Sequence, residues 1–358
     1  MPSPSASPDR PLRIALVADP YIPVPPKLYG GIERVLDFLV EGLAARGHEV
    51  TLWAHPESDV PAELVPYGVE PHHGRVVRTR ELLQVMTGLA RRKGDFDLVH
   101  SFGRLAGMLP LFPSSIPKIQ SYQREITPQN IERAVRLAGD SLSFTACSTN
   151  CRRDVSHIGK WDTVYNGVRL ADYDFQPEVG PDAPLVFLGR IEQIKGTHTA
   201  IAVARATGRP LVIAGNVPET DEHRRYFDEQ VAPHLDGEQV RYVGPVDDVQ
   251  KNEMMGRAVA FLMPIEWEEP FGIVMAEALA CGTPVVGFRR GSVPEVVEHG
   301  VTGFVCDTAG EMAEAVGRVP DLDRRASRDR CERMFSDRAI VDAYESLYRR
   351  HIASQSSP

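Results

Sequence analysis

Glu268-Glu269-Pro270-Phe271-Gly272-Ile273-Val274-Met275-Ala276-Glu277-Ala278-Leu279-Ala280-Cys281-Gly282-Thr283-Pro284-Val285-Val286 reads as a loop, a helix, a glycine stop and a buried strand. Pro270 suits the first position of a helix and Gly282 its C-cap, which predicts a helix over about Phe271 to Cys281. A helix that feeds straight into a short apolar strand is the repeating unit of a parallel α/β sheet.

The same rhythm extends to both sides. Pro184–Gly189, Pro210–Gly215, Gln239–Gly244, Ala258–Met263 and Pro284–Phe288 read as strands, with helices from Gly196, Asp247 and Gly272 between them. A polar, turn-rich passage from Tyr165 to about Pro184 interrupts the alternation and reads as a linker. Before it, Arg13–Ala18, Glu49–Trp53, Asp97–Ser101, Lys118–Ser121 and Ser143–Ser148 read as strands, separated by helical stretches at about Gly31–Arg46, Thr79–Arg92 and Pro128–Leu137. The fold class that follows is α/β, with two Rossmann-like, doubly wound parallel-sheet domains facing across a cleft. The expected divisions are a flexible tail over residues 1–11, a first domain over 12–166, a second over 167–336, and an amphipathic C-terminal helix within 337–358 that crosses back to the first domain.

Length and composition agree with two domains. The chain has 358 residues, against a working size of roughly 150 per domain. It is 42% hydrophobic and 25% charged, as soluble globular proteins are. A net charge of −9 argues against a nucleic-acid binder, which needs a surplus of Lys and Arg on one face. Five cysteines without a CxxC pair read as reduced core thiols, and with no apolar leader or span the expected location is cytoplasmic. Arg91-Arg92-Lys93 is a short basic run, read either as a solvated helix end or as a transient membrane contact.

Chemistry concentrates in two places. Glu277 is the one charged side chain in an otherwise apolar helix, and a buried lone carboxylate costs several kcal/mol unless a donor or a hydroxyl-bearing ligand meets it. Glu269 sits at the helix start beside outward-pointing amides, about two turns from Glu277, or roughly 12 Å at about 1.5 Å per residue. That span is comparable with the distance from a sugar to a ribose. The structural alternative is that Glu269 caps the helix and Glu277 pairs with an arginine in the core. The second place is Leu188-Gly189-Arg190-Ile191-Glu192-Gln193-Ile194-Lys195-Gly196, a strand end opening a helix, where Arg190 and Lys195 supply two cations for a diphosphate. Three Asp-x-Asp triplets, at Asp95/Asp97, Asp172/Asp174 and Asp321/Asp323, read as solvated loop acids, and no metal site is expected.

Gly189-Arg190, Lys195-Gly196 and Glu269-Pro270-Phe271-Gly272, with Glu277 after seven intervening residues, resemble the donor-site signature of glycosyltransferase family 4, retaining enzymes of the GT-B fold. The resemblance implies that Gly189, Arg190 and Lys195 meet the diphosphate, Glu269 a sugar hydroxyl and Glu277 the ribose. It implies that the amides of Phe271, Gly272 and Ile273 meet the transferred sugar. Tyr29-Gly30-Gly31-Ile32-Glu33 resembles the family's glycine loop, so Gly30 and Gly31 are implied in close approach to donor and acceptor. Asn166-Gly167-Val168 resembles its interdomain linker, and the resemblance implies that 12–166 is the acceptor domain and 167–336 the nucleotide-sugar donor domain. Many members carry two histidines alternating along the end of the strand at 97–101, where this chain has His100 and then Phe102, so His100 is read either as catalytic beside the sugar or as structural.

The expected reaction moves a sugar from a nucleotide diphosphate sugar to a small-molecule or glycan acceptor, without a metal and with no cofactor besides the donor substrate. A dehydrogenase is set aside because Asp19-Pro20-Tyr21-Ile22-Pro23 follows the first strand in place of a GxGxxG turn. A nucleotide-sugar epimerase and a non-catalytic nucleotide-sugar binding protein are the alternatives.

Overall fold

The computed structural model describes residues 10–27, 30–68, 75–124 and 126–356. The chain divides into two compact units, one of Met1–Asn166 with Asp337–Pro358 and the other of Gly167–Ser336.

In the first unit the elements are β1 (Arg13–Val17), α1 (Gly31–Ala45), β2 (Glu49–Ala54), β3 (Glu63–Pro66), α2 (Arg75–Arg92), β4 (Leu98–Ser101), β5 (Lys118–Tyr122), α3 (Pro128–Ala138), β6 (Leu142–Ala146) and β7 (Trp161–Thr163). Among the described residues the strands form one sheet in the order β3-β2-β1-β4-β5-β6-β7, every pair parallel. Strands β1 and β6 are almost wholly buried, and β4, β5 and β6 carry buried polar side chains among their apolar ones, including His100, Lys118, Gln120, Ser143 and Thr145. The edge strands β3 and β7 are only half-buried, and sequence reading passed over both.

The second unit contains β8 (Leu185–Leu188), α4 (Thr197–Thr207), β9 (Leu211–Ala214), α5 (Asp221–Tyr226), β10 (Val240–Gly244), α6 (Asp248–Arg257), β11 (Ala260–Met263), α7 (Ile273–Ala280), β12 (Val285–Phe288), α8 (Val293–Val296), β13 (Gly303–Cys306), α9 (Ala309–Arg318) and α10 (Arg324–Met334). Its parallel sheet runs β10-β9-β8-β11-β12-β13. Leu185, Ile213, Leu262, Val286, Phe304 and Val316 belong to its core. Asp247 opens α6 with a capping box, its side chain accepting from the Gln250 amide while Gln250 bonds back. Arg324 of α10 is buried and donates only to neutral oxygens: the carbonyls of Gln176, Gly256 and Ala258 and the Thr283 hydroxyl. Burial without a carboxylate brings its pKa down to about 10.

The last helix, α11 (Asp337–Ser356), belongs to the first unit and packs on α1. Arg46, just past α1, donates to Asp342 at 2.5 Å and to Glu345 at 2.7 Å. Tyr344, Leu347 and Tyr348 of α11 are buried, and each such side chain contributes about 1.5–3 kcal/mol through apolar burial.

Both sheets have the 3-2-1-4-5-6 core order of dinucleotide-binding folds, with a seventh strand added at the β7 edge of the first. Each therefore reverses at a switch point, between β1 and β4 in one unit and between β8 and β11 in the other. Ligands of such sheets bind beyond the carboxyl ends of the strands at that point.

Candidate active site

At the switch point of the second unit, the residues singled out in sequence are carried by the loops after β8 and β11. Gly189 and Arg190 follow β8, and a tight turn over Gln193–Lys195 leads into α4. Gly196 caps that helix at φ +75°, and a Cβ there would fall 1.9 Å from the Pro264 carbonyl oxygen just after β11. Only glycine permits so close an approach. The Glu266 amide donates to the Ile194 carbonyl at 2.8 Å, so the two loops are bonded to each other.

A third loop, after β12, braces them. Arg290 donates to the Glu266 carbonyl, the Ser292 amide to the Glu269 carbonyl, and the Ser292 hydroxyl to the Phe271 carbonyl at 2.6 Å. Gly291, at φ +54°, presses on the Glu269 backbone, where a Cβ would meet the nitrogen and oxygen at 2.4 Å.

This bracing brings Lys195 and Glu269 together. Nζ of Lys195 lies 2.5 Å from Oε2 of Glu269, with both side chains mostly buried. Trp267 donates its indole N–H to the same oxygen at 3.0 Å, and its ring lies 4.6 Å from the lysine charge. Arg190 is half exposed and pairs with buried Glu192 at 2.9 Å.

Helix α7 begins at Ile273, later than expected. Gly272 adopts φ +70°, a left-handed conformation that breaks the helical path, so Pro270 is not the first helical residue. Glu269 and Glu277 are therefore not two full helical turns apart, and the roughly 12 Å spacing does not apply. Phe271 is buried edge-on to Phe335, with ring centroids 5.7 Å apart, and anchors the loop whose first-turn amides, at Ile273 and Val274, are only partly covered.

Glu277 is buried in the middle of α7, and the partner that compensates it is Lys251 of α6 rather than an arginine. Lys251 Nζ lies 2.6 Å from Oε1, and the Tyr173 hydroxyl donates to the same oxygen at 2.8 Å. Oε2 carries no hydrogen bond among the described residues. Burial pulls the pKa of Lys251 down, but the charges of Glu277 and Asp248, the latter at 3.0 Å, outweigh it and hold the group above its ordinary value. Lys251, Tyr173 and Trp267 were missed in sequence, since each looks like an ordinary residue of a helix or loop. Among the described residues no group of three or more His, Cys, Asp or Glu side chains could hold a metal ion.

Three of the expected residues lie in the first unit. Gly30 and Gly31 open α1, with Gly30 packed against Pro26. Tyr29 falls outside the described residues. Glu33 in the first turn is buried, which raises its pKa against the pull of its own backbone amide. Of the two readings of His100, catalytic beside the sugar or structural, its setting corrects the catalytic one and fits the structural one: it lies fully buried within β4. Its Nδ1 is 2.7 Å from the Tyr348 hydroxyl and its Nε2 2.7 Å from Ser121 Oγ, and Phe102 and Tyr344 pack on the ring. The alternation of β4 turns His100 inward beneath α11, and burial lowers its pKa to about 3.

Residues 29–172 match the family model described as Glycosyltransferase Family 4, and residues 173–333 match that described as Glycosyl transferases group 1. The chain belongs to glycosyltransferase family 4. This glycosyltransferase is 28% identical to a glycogen synthase of Mycobacterium tuberculosis over 400 aligned residues, covering 94% of each chain. Among solved structures it is similar to a glycosyltransferase involved in avilamycin A biosynthesis, with 27% identity, a TM-score of 0.70, and coverage of 96% of this chain and 98% of that one. An Anabaena protein solved with UDP-glucose shares the fold at 19% identity and a TM-score of 0.70, over 94% of this chain and 99% of its own. The GT-B architecture read from sequence stands, built from the two parallel-sheet units. Among the described residues no helix is long and apolar enough to cross a membrane.

Proposed function

We propose that the glycosyltransferase takes a hexose from a nucleoside diphosphate sugar, with retention of anomeric configuration and without a metal ion. The observation that carries this reading is the contact between Lys195 and Glu269. In such a donor the anomeric carbon is joined through a single oxygen to the distal phosphate. A cation for that phosphate and a carboxylate for a sugar hydroxyl must therefore lie side by side, as these two do. The UDP-glucose bound by the Anabaena neighbour supports the donor class.

Each residue then has a role. Arg190, beside Gly189, and Lys195 neutralise the diphosphate, a task that otherwise falls to a metal. Glu269 accepts from a sugar hydroxyl, and Phe271, Gly272 and Ile273 present backbone amides to the same ring. Glu277 receives ribose hydroxyls on Oε2. The C1–O bond to phosphate breaks, the acceptor oxygen bonds to C1, and the acceptor proton passes to the leaving diphosphate on the same face. Glu269 is bound to Lys195 and Trp267, so it orients the sugar and is not a nucleophile. Gly30 and Gly31 give the close backbone approach that the family's glycine loop provides. His100, with both ring nitrogens engaged, holds α11 rather than acting on the sugar.

A panel of UDP-, GDP- and ADP-linked sugars, scored for nucleotide release with chelator present, tests the reading. Release from one donor is expected, falling about 100-fold or more in both Arg190→Ala and Glu277→Ala. Tight binding without release would point to a non-catalytic binding protein, and isomerisation of the donor to an epimerase.

A further inference from the structure

Glu192 sits in the turn between the two cations assigned to the diphosphate. Its amide donates to the Arg190 carbonyl at 2.9 Å, and its carbonyl accepts from the Lys195 amide at 3.0 Å. Its side chain is buried, at 4% exposure, and a carboxylate taken out of water needs a cation or donors beside it. Two cation-forming groups from different elements meet one of its oxygens. Arg190 Nη1 lies 2.9 Å from Oε1, and Nε2 of His223, on α5, lies 3.8 Å from the same atom.

The fold fixes His223 in that position. The loops after β8 and β9 are bonded together, the Ile191 amide donating to the Asn216 carbonyl at 3.0 Å. Gly215, at φ +133°, lies so close that a Cβ on it would fall 1.8 Å from the Gly189 carbonyl oxygen. Thr220 then caps α5, its hydroxyl accepting from the His223 amide. The other charges near His223 on its own segment, Glu219, Asp221, Glu222, Arg224 and Arg225, are exposed and of both signs. Toward α4 the neighbouring titratable group is His198, whose Nδ1 lies 2.8 Å from the Tyr226 hydroxyl of α5 and whose Nε2 lies 3.1 Å from Glu266.

An imidazole changes charge between about pH 5 and 8. Charged, His223 compensates Glu192 from the α5 side, and the half-exposed Arg190 can turn its fork to an outside anion. Neutral, it leaves Arg190 as the cation of a buried carboxylate, and drawing Arg190 away to a ligand strands that charge.

We infer that His223 is a positioning residue for the donor: protonated, it releases Arg190 from Glu192 to the diphosphate, so the donor binds more tightly in mild acid than in mild base. The inference rests on the reading of Arg190 as a diphosphate ligand. A nucleotide sugar's diphosphate is esterified at both ends and keeps its charge over this range, so any slope with pH belongs to the protein.

Calorimetric titrations of the full chain with UDP-glucose, GDP-mannose and ADP-glucose, from about pH 5.5 to about 8, test it on whichever binds. The dissociation constant should rise about three- to fivefold across that range, the scale of an ion pair with one member open to solvent. His223→Gln, never charged, should show the weaker value throughout, and His223→Lys, always charged there, the tighter one, with melting temperatures unchanged. His198→Gln should keep the slope, and Arg190→Gln should bind weakly at every pH. A dissociation constant independent of pH in the unsubstituted chain, a slope that survives in both His223 variants, or one abolished by His198→Gln would overturn the inference. Weak binding by Arg190→Gln that still follows pH would overturn it while leaving the diphosphate reading intact. Donor bound by Arg190→Gln as tightly as by the unsubstituted chain, or by neither at millimolar concentration, would remove that reading and the inference with it.

Discussion

Lys251 and Tyr173 meet Glu277 on a single carboxylate oxygen, and that convergence explains how an apolar helix tolerates an acid in its centre. A buried ion pair gains little over a well-packed apolar pair, but removing one partner strands the other charge. Lys251→Met should therefore destabilise the second unit by about 3–5 kcal/mol in chemical denaturation. Tyr173→Phe, which removes one hydrogen bond to a charged group, should cost about 1.5–3 kcal/mol and raise KM for the donor more than it lowers kcat. An unchanged KM in Tyr173→Phe would mean that Oε1 geometry is irrelevant to the donor. At this scale the sequence was partly legible. Glu277 stood out because a lone charge among Ala, Leu and Met demands a partner, yet nothing in the pattern says which cation answers. Lys251 lies 26 positions upstream on another helix and resembles any solvent-facing lysine. Arg190 and Lys195 were visible from their place at a strand-to-helix turn. The burial of His100 was not, because which face of a four-residue strand turns inward depends on a helix that arrives at the other end of the chain.

That helix, α11, is fastened by groups that weaken in acid. His100 donates to or accepts from Tyr348, and burial holds its pKa near 3. In the unfolded chain it takes a proton below about 6.5, so between those values the unfolded state binds more protons and stability falls as pH falls, by up to ~1.4 kcal/mol per unit. His48 and His351, both lowered chiefly by burial, act in the same direction. Glu345 adds a later loss. Burial opposes its charge, but hydrogen bonds from Arg46 and Arg349 outweigh that and hold its pKa at about 2, so its contribution disappears as pH drops from about 4.5 toward 2. Urea midpoints measured from pH 7 to 4 should decline, and less steeply in His100→Gln, which keeps polar atoms but does not titrate. Parallel curves would mean that His100 carries no such linkage. The amphipathic stretch that becomes α11 was readable, as were β1, β9, β11 and β12, whose apolar runs between turn residues are unambiguous. The short elements were not. β3 and β7 have four and three residues on half-buried edges, and β13 lies beyond the last strand read. Too few side chains alternate in them to carry a periodic signal.

For the whole molecule, the order of the chain and the order of folding units differ. The first unit is completed by α11, which follows the second unit in the chain, whereas Gly167–Ser336 is continuous. The ends of that continuous unit meet: the Val168 amide donates to the Phe335 carbonyl at 2.8 Å, and Val168 forms a parallel bridge with Ser336. A segment with its own sheet and core, and with paired ends, can be cut out without breaking a strand. Domains of roughly 150 residues bury close to 70% of the surface of the unfolded chain, enough for independent stability. Residues 167–336 expressed alone should therefore melt cooperatively and bind the nucleotide of the preferred donor, because Arg190, Lys195, Glu269 and Glu277 all lie within them. Residues 10–166 alone should not, because without α11 the buried His100 loses Tyr348, Phe102 loses Tyr344, and α1 loses the helix it packs on. Adding α11 as a separate peptide should restore a melting transition to that fragment. Circular dichroism melts and nucleotide titrations of the two fragments decide the matter. If 167–336 melts cooperatively but binds no nucleotide, the donor site assigned to its switch point is incomplete within that unit.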